Sequence, residues 1–254
     1  MASAAEILRE TAHRPFPLPQ GAWVMRQSWD ELLFAHWKVP FNRLRPLVPA
    51  ELELDTYEGD CYVGVVPFAM RHVRPRYAPS VPLLSHFLEL NLRTYVKDTR
   101  DRDSQAGQGG VYFFSLDCNN PVAVEVARKA YFLPYYNALM KMSKVNDEVH
   151  YQSVRIHAGE PQLKFQASYR PIGPVFHSQP GSLESFLTER YCLLLTSGGT
   201  IKRGDIHHPQ WPLQVAEAKI QTNTIGDKYG FDFSSEAPIL HYAQHVDTVE
   251  WPLR

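Results

Sequence analysis

Residues 87–96, with the sequence FLELNLRTYV, alternate between apolar and polar side chains, and an extended strand would separate these onto two faces. One face would carry leucine, threonine and valine. The other would carry Glu89, Asn91, Arg93 and Tyr95. The polar face either meets solvent or lines an interior, where charged groups must be paired or bound to something. This segment predicts a β-strand and leaves both alternatives open.

The rest of the chain indicates the same fold class. Its 20 prolines are spread along the sequence rather than collected in one linker, which suits short strands joined by rigid turns. We predict further strands at residues 61–68, 111–116, 135–140, 150–156, 163–170, 191–196 and 215–222. We predict helices at residues 121–131 and 182–190, a short helix near residues 2–10 and a turn around residues 42–47. Residues 97–110, charged and then glycine-rich, are expected to form a hairpin loop.

Length and composition predict one globular domain. We place a β-dominated α+β domain at residues 21–225, after an N-terminal helix or extension at residues 1–20 and before a C-terminal extension at residues 226–254 that packs on it. The net charge of −1 provides no overall basic field for nucleic acid or an anionic membrane. No segment reads as a signal peptide or membrane helix, so we expect a cytoplasmic protein.

Standard catalytic and metal-binding signatures are missing from the sequence. It contains no Gly-x-Ser-x-Gly elbow, Walker loop, dinucleotide glycine motif or His-Glu-x-x-His, and its three cysteines are far apart. His207 and His208 follow Asp205, but neighbouring side chains of an extended segment point in different directions and rarely bind one metal. We interpret this segment as a rigid loop and expect neither a metal nor a cofactor.

Four stretches of sequence resemble the YqjF-like family of uncharacterised bacterial proteins, over roughly residues 20–225. They are residues 29–37, 62–68, 87–96 and 206–209. The order of elements, including Arg128 and Pro134 before a strand, is similar to the acetoacetate decarboxylase-like superfamily. This resemblance implies a β-barrel or cone with a few external helices and an enclosed polar pocket. It also implies that Glu89 lines that pocket, and it slightly favours a homo-oligomer.

The same resemblance places Tyr135 and Tyr136 where the decarboxylases carry two lysines. The first of those lysines forms a Schiff base with the ketone substrate. A phenol cannot form an imine, and its ordinary pKa of about 10 leaves it protonated at neutral pH. We therefore expect no Schiff-base decarboxylation by this chain.

Two functions remain open from the sequence. In the first, the protein binds a small carboxylate or keto compound without covalent chemistry, because guanidinium groups form strong forked hydrogen bonds with carboxylates. The candidate ligand-binding residues are Asn91, Arg93, Arg128 and Tyr136. In the second, the protein is a lyase or hydratase acting on a keto or hydroxy acid, with Glu89 as the base and Tyr135 as the proton donor. The alternative without a ligand is an internal ion pair between Glu89 and Arg93, with the tyrosines filling the core.

Overall fold

The computed structural model describes residues 2–98 and 109–254, and strands dominate this part of the chain. The strands are β1 (Met25–Val39), β2 (Leu52–Leu54), β3 (Cys61–Pro75), β4 (Phe87–Asp98), β5 (Gly109–Cys118), β6 (Tyr135–Val145), β7 (Glu148–Arg155), β8 (Lys164–Pro171), β9 (Cys192–Ser197), β10 (Thr200–His207), β11 (Leu213–Asn223) and β12 (Ile239–Glu250). The α-helices are α1 (Ala4–Arg9), α2 (Phe41–Leu44), α3 (Pro121–Ala130) and α4 (Leu183–Thr188). Short 3-10 helices lie at Arg45–Leu47 and Asp227–Tyr229.

The strands close into two rings that share one wall. β12, β1, β3, β4 and β5 form this shared wall through antiparallel pairs. β6, β7, β8 and β11 connect β5 back to β12 and complete a nine-stranded barrel. β9 and β10 make a shorter connection between the same two strands. The shared wall therefore has an interior on each of its faces.

The alternation in residues 87–96 follows from this double enclosure. Leu90 and Leu92 join the core of the nine-stranded barrel. Phe87 joins the core of the second ring, and Glu89 lines the cavity on the same side. Since both faces of β4 are buried, the alternative in which the polar face meets solvent does not hold.

Helix α3 connects the parallel strands β5 and β6 and covers the second ring. It begins after Asn120, whose Oδ1 accepts hydrogen bonds from the backbone N–H groups of Val122 and Ala123 at 3.1 and 3.2 Å. Pro121 occupies the first helical position, where its missing N–H costs nothing. Val124 is the buried residue of the helix, whereas Val122 and Val126 are about half exposed. This helix becomes one side of the cavity described below.

The structure confirms the predicted fold class but differs from the sequence-based prediction at four strands. β1, β2, β10 and β12 were not expected, and residues 99–108 of the predicted hairpin loop lie outside the described residues. The expected barrel domain ended at residue 225, yet β12 pairs with β1 through eleven residue pairs and lies between β1 and β11. Its strand character is concealed because buried polar residues, including His241, Asp247 and Thr248, interrupt the apolar ones.

Replacing Gly64 by alanine is expected to destabilise the shared wall. A Cβ at Gly64 would lie 2.9 Å from Cδ2 of the buried His36 ring. That ring is held in place because its Nε2 lies 2.6 Å from the Tyr95 hydroxyl. We expect Gly64→Ala to lower the free energy of unfolding by about 1–3 kcal/mol in urea denaturation. Gly173→Ala is the control, since its Cβ would meet nothing closer than 3.8 Å; equal midpoints for the two variants would contradict the prediction.

His245 is expected to make stability fall as the pH rises above neutral. Its Nδ1 pairs with Asp30 and its Nε2 lies 3.4 Å from Oδ1 of Asp247. Hydrogen bonds to both carboxylates raise the pKa of His245 to about 9. The folded pKa lies above the unfolded value of about 6.5, so this stabilisation is complete below that pH and is lost as the pH rises through 9. Calorimetric melting of wild type and His245→Gln should differ most at pH 6 and converge near pH 10. A constant difference would exclude this titration.

Candidate functional site

A cavity of about 320 Å³ lies inside the second ring, against the face of β4 that carries Glu89, Asn91 and Arg93. Apolar residues make up most of its lining, among them Phe34, Phe68, Leu116, Val126, Trp211 and Trp251. The sequence predicted a polar pocket, but the chamber is mostly apolar. Its polar groups include a row of Glu89, Asn91 and Arg93 along β4 and further side chains from other segments, among them Gln27, Arg190 and Asp205. No lysine lines this cavity in the described part of the chain.

Glu89 and Tyr135 meet inside the cavity. The parallel register of β5 and β6 pairs Leu116 with Tyr135, the first residue of β6. The Tyr135 hydroxyl donates a hydrogen bond to Oε2 of Glu89 at 2.6 Å, and both side chains are buried. The sequence named these two residues as an acid–base pair, and the structure brings them into contact.

The surroundings of this pair set the pKa values of Glu89 and Tyr135 apart. Burial raises the pKa of Glu89 to about 7, an effect that hydrogen bonds from Tyr135 and Asn91 partly offset. Burial and the neighbouring carboxyl group raise the pKa of Tyr135 well above 10. Near neutral pH, Glu89 therefore exists in both protonation states while the phenol keeps its proton. This arrangement can accept a proton at Glu89 and donate a hydrogen bond from Tyr135.

Glu250 is a cavity residue that the sequence analysis missed. It is the last residue of β12 and is paired with Met25 on β1 and Ile206 on β10. Burial, together with the charge of Glu89, raises the pKa of Glu250 to about 7. The β-branched and aromatic run at residues 246–251 was the available signal, but residues beyond 225 were assigned to an extension. The cavity is thus lined by the carboxyl groups of Glu89, Asp205 and Glu250, and the charge of Glu89 opposes ionisation of Glu250.

Arg93 lines the cavity without a carboxylate partner in the described residues. Its Nη2 donates to the backbone carbonyl of Leu187 at 3.3 Å, and its Cζ lies 5.4 Å from the centre of the Phe34 ring. The ion pair with Glu89, which the sequence left open as the alternative without a ligand, is not formed within 4.0 Å. Its Nε is buried and has no hydrogen-bond partner among the described residues. The guanidinium is held in position and retains hydrogen-bonding capacity.

The structure does not bring Arg128 and Tyr136 to this cavity. Arg128 is exposed, and its Nη1 donates to the backbone carbonyl of Tyr135 at 2.7 Å. Tyr136 follows Tyr135 on a strand, so its side chain points to the opposite face, where the ring packs 4.3 Å from the guanidinium of Arg155. A carboxylate in the cavity would therefore contact Arg93 without Arg128. Asn91 does line the cavity, and its Oδ1 is buried without a partner in the described chain.

His207 and His208 are buried and point apart. His208 lines the cavity and stacks on Tyr191, whereas Nε2 of His207 lies 2.9 Å from the backbone carbonyl of Ile7. Within residues 2–98 and 109–254, no group of three or more His, Cys, Asp or Glu side chains is arranged to hold a metal ion. No helix of the described chain is long and apolar enough to cross a membrane.

Solved structures share this architecture at low sequence identity. Acetoacetate decarboxylase from Legionella pneumophila matches with a TM-score of 0.59 and 12% identity, covering 99% of this chain and 96% of that one. The enduracididine biosynthesis enzyme MppR, complexed with pyruvate, matches with a TM-score of 0.58 and 10% identity, covering 96% and 93%. These similarities confirm the predicted acetoacetate decarboxylase-like fold.

Sequence comparison gives a closer relationship. The chain is 44% identical over 237 residues to the uncharacterized protein YqjF of Bacillus subtilis (strain 168), which covers 93% of this chain and 94% of that protein. Residues 26–247 match the family DUF2071, described as an uncharacterized conserved protein. The chain therefore belongs to the DUF2071 family, together with YqjF, as the resemblance in its sequence predicted.

Proposed function

We propose that this protein binds a small carboxylate or keto compound in the cavity beside β4. The observation that carries the proposal is the guanidinium of Arg93, which faces the cavity without a carboxylate partner among the described residues. A cation placed against apolar walls costs free energy unless an anion accompanies it, and a carboxylate matches the forked donors of arginine. MppR, which shares the fold, is known in complex with pyruvate, a compound of this class.

The contact between Glu89 and Tyr135 favours a second candidate function, acid–base catalysis on a keto or hydroxy acid. In a dehydration, the carboxylate of Glu89 would take a proton from the carbon beside the carbonyl or carboxyl group. Tyr135 would give its proton to the departing hydroxyl, which leaves as water, and would recover a proton from Glu89 across their 2.6 Å hydrogen bond. Arg93 would hold the substrate carboxylate.

Removing the guanidinium of Arg93 is expected to abolish ligand binding. We would titrate pyruvate and other small keto and hydroxy acids against wild type, Arg93→Met and the control Arg170→Met, in which an exposed arginine outside the cavity is replaced. A ligand at a hundred times its Kd stabilises by about 2.7 kcal/mol, a rise in Tm of roughly 5–10 °C for this chain length. Wild type and the control should show this rise. An equal rise in Arg93→Met would refute the assigned anion site.

Deuterium exchange tests the acid–base function separately. If Glu89 acts as a base beside a bound keto group, the wild type should accelerate exchange of the pyruvate methyl protons in D2O, followed by NMR. The rate should rise with pH and level off above about 7, where Glu89 is ionised. Glu89→Gln should lose at least about 100-fold in rate, the lower range for general acid–base catalysis, and keep the Tm shift. Exchange that survives in Glu89→Gln, or is absent from the wild type despite binding, would eliminate this second function. Glu217→Gln, in which an exposed β11 carboxylate is changed, is the control.

A further inference from the structure

We infer that the ligand is a carboxylic acid with an apolar chain, whose tail runs beneath α3 to the protein surface. This inference rests on the proposed function, because it assumes that Arg93 holds the carboxylate. It adds a description of the rest of the ligand, which the other walls of the cavity would contact.

The side chains on the cavity face of β4 change character along the strand. Arg93, Asn91, Glu89 and Phe87 lie on this face in that order, and a strand rises about 3.3 Å per residue. The Arg93 end reaches the backbone carbonyl of Leu187 in α4. At the other end, Phe87 is paired with Met70 on β3, and both line the cavity. A ligand held at Arg93 that extends past Glu89 would therefore meet apolar side chains.

Helix α3 presents an apolar surface to the cavity. Val122, Ala123, Val126 and Ala127 line it, together with Leu84, Tyr131 and Leu133 nearby. The charged residues Glu125 and Lys129 of the helix pair with each other at 2.8 Å and do not line the cavity. This wall offers contacts suited to methylene groups and no charged side chain from the helix.

The cavity reaches the surface at this wall. Val122, Val126 and Leu84 line the cavity, yet their exposed fractions are 54%, 50% and 47%. Each of these side chains therefore contacts the cavity on one side and solvent on another. Asn120 joins the two sides of the opening, since its Nδ2 donates to the carbonyls of Leu83 and Leu84 at 3.0 and 3.3 Å.

An apolar chain accounts for the exposed rim as well as the internal wall. We define the rim as Val81, Leu83, Leu84, Val122 and Val126, all of which are at least 45% exposed. The hydrogen bonds of Asn120 join Leu83 and Leu84 to the start of α3, and an exposed apolar patch commonly marks a binding site. A two- or three-carbon acid at Arg93 would leave the rim uncovered. A longer chain passing between α3 and Leu84 would cover it and remove its own methylenes from water.

The test is a series of straight-chain carboxylates from acetate to decanoate, measured by calorimetric titration. For wild type, Kd should fall by about fourfold per added methylene, which corresponds to about 0.8 kcal/mol each, until the chain passes the rim. In Val126→Asp, affinity should no longer rise as the chain is lengthened from butyrate to decanoate. Val122→Asp is a second rim variant, because an acid in the first turn of a helix is tolerated. Val175→Asp is the control, since Val175 is 57% exposed and lies outside the cavity.

The outcomes separate this inference from the proposed function. Equal affinity for butyrate and decanoate in the wild type would overturn the inference and leave the Arg93 site standing. A preserved length dependence in both rim variants would place the tail elsewhere and would also overturn it. If no acid binds the wild type at any length, the proposed function fails as well. Length-dependent binding that requires both Arg93 and Val126 would establish the amphipathic acid as the ligand class.

Discussion

Burial of the shared wall on both faces is the constraint on which the rest of the structure depends. A strand of this wall has no solvent face to receive its polar residues, so each side chain enters one of two interiors. In β4 the leucines fill the nine-stranded barrel, and Glu89, Asn91 and Arg93 enter the second ring. The candidate site is therefore a direct consequence of the topology, because the polar side chains of β4 can only enter the second ring.

The electrostatics of the cavity follow from the same enclosure. The buried carboxyl groups of Glu89 and Glu250 are costly to ionise in this mostly apolar chamber, and for this reason their pKa values rise to about 7. Tyr135 lowers part of that cost by donating to Glu89. Arg93 provides an opposite charge in the same chamber but forms no ion pair with Glu89. The cavity therefore combines a group that can exchange a proton near neutral pH with a cation available to an anion.

The elements that could be predicted from the sequence are those whose structure follows from a short local pattern. The alternation around Glu89 identified β4, and Pro121 marked the start of α3. β1 was missed because two register shifts against β3 interrupt its alternation, and Glu31 adopts a positive φ of 57° within one of them. Tyr136 was assigned to the site because both tyrosines take the positions of the two decarboxylase lysines. Neighbouring side chains of a strand, however, point to opposite faces. Glu250 could not be placed without β12, whose pairing with β1 joins residues more than 200 positions apart.

The side chain of Asn120 connects two features that would otherwise be independent. Its Oδ1 caps the N-terminus of α3, and its Nδ2 donates hydrogen bonds to the carbonyls of Leu83 and Leu84. The position of the helix and the width of the rim are therefore set together. The outward residues of α3 and the segment at residues 81–84 carry no β-ladder pairing. Substitutions there can change the shape of the entrance while the barrel and its acid–base pair stay as they are. Ligand preference within such a scaffold could therefore diverge between relatives at the rim, at little cost to folding.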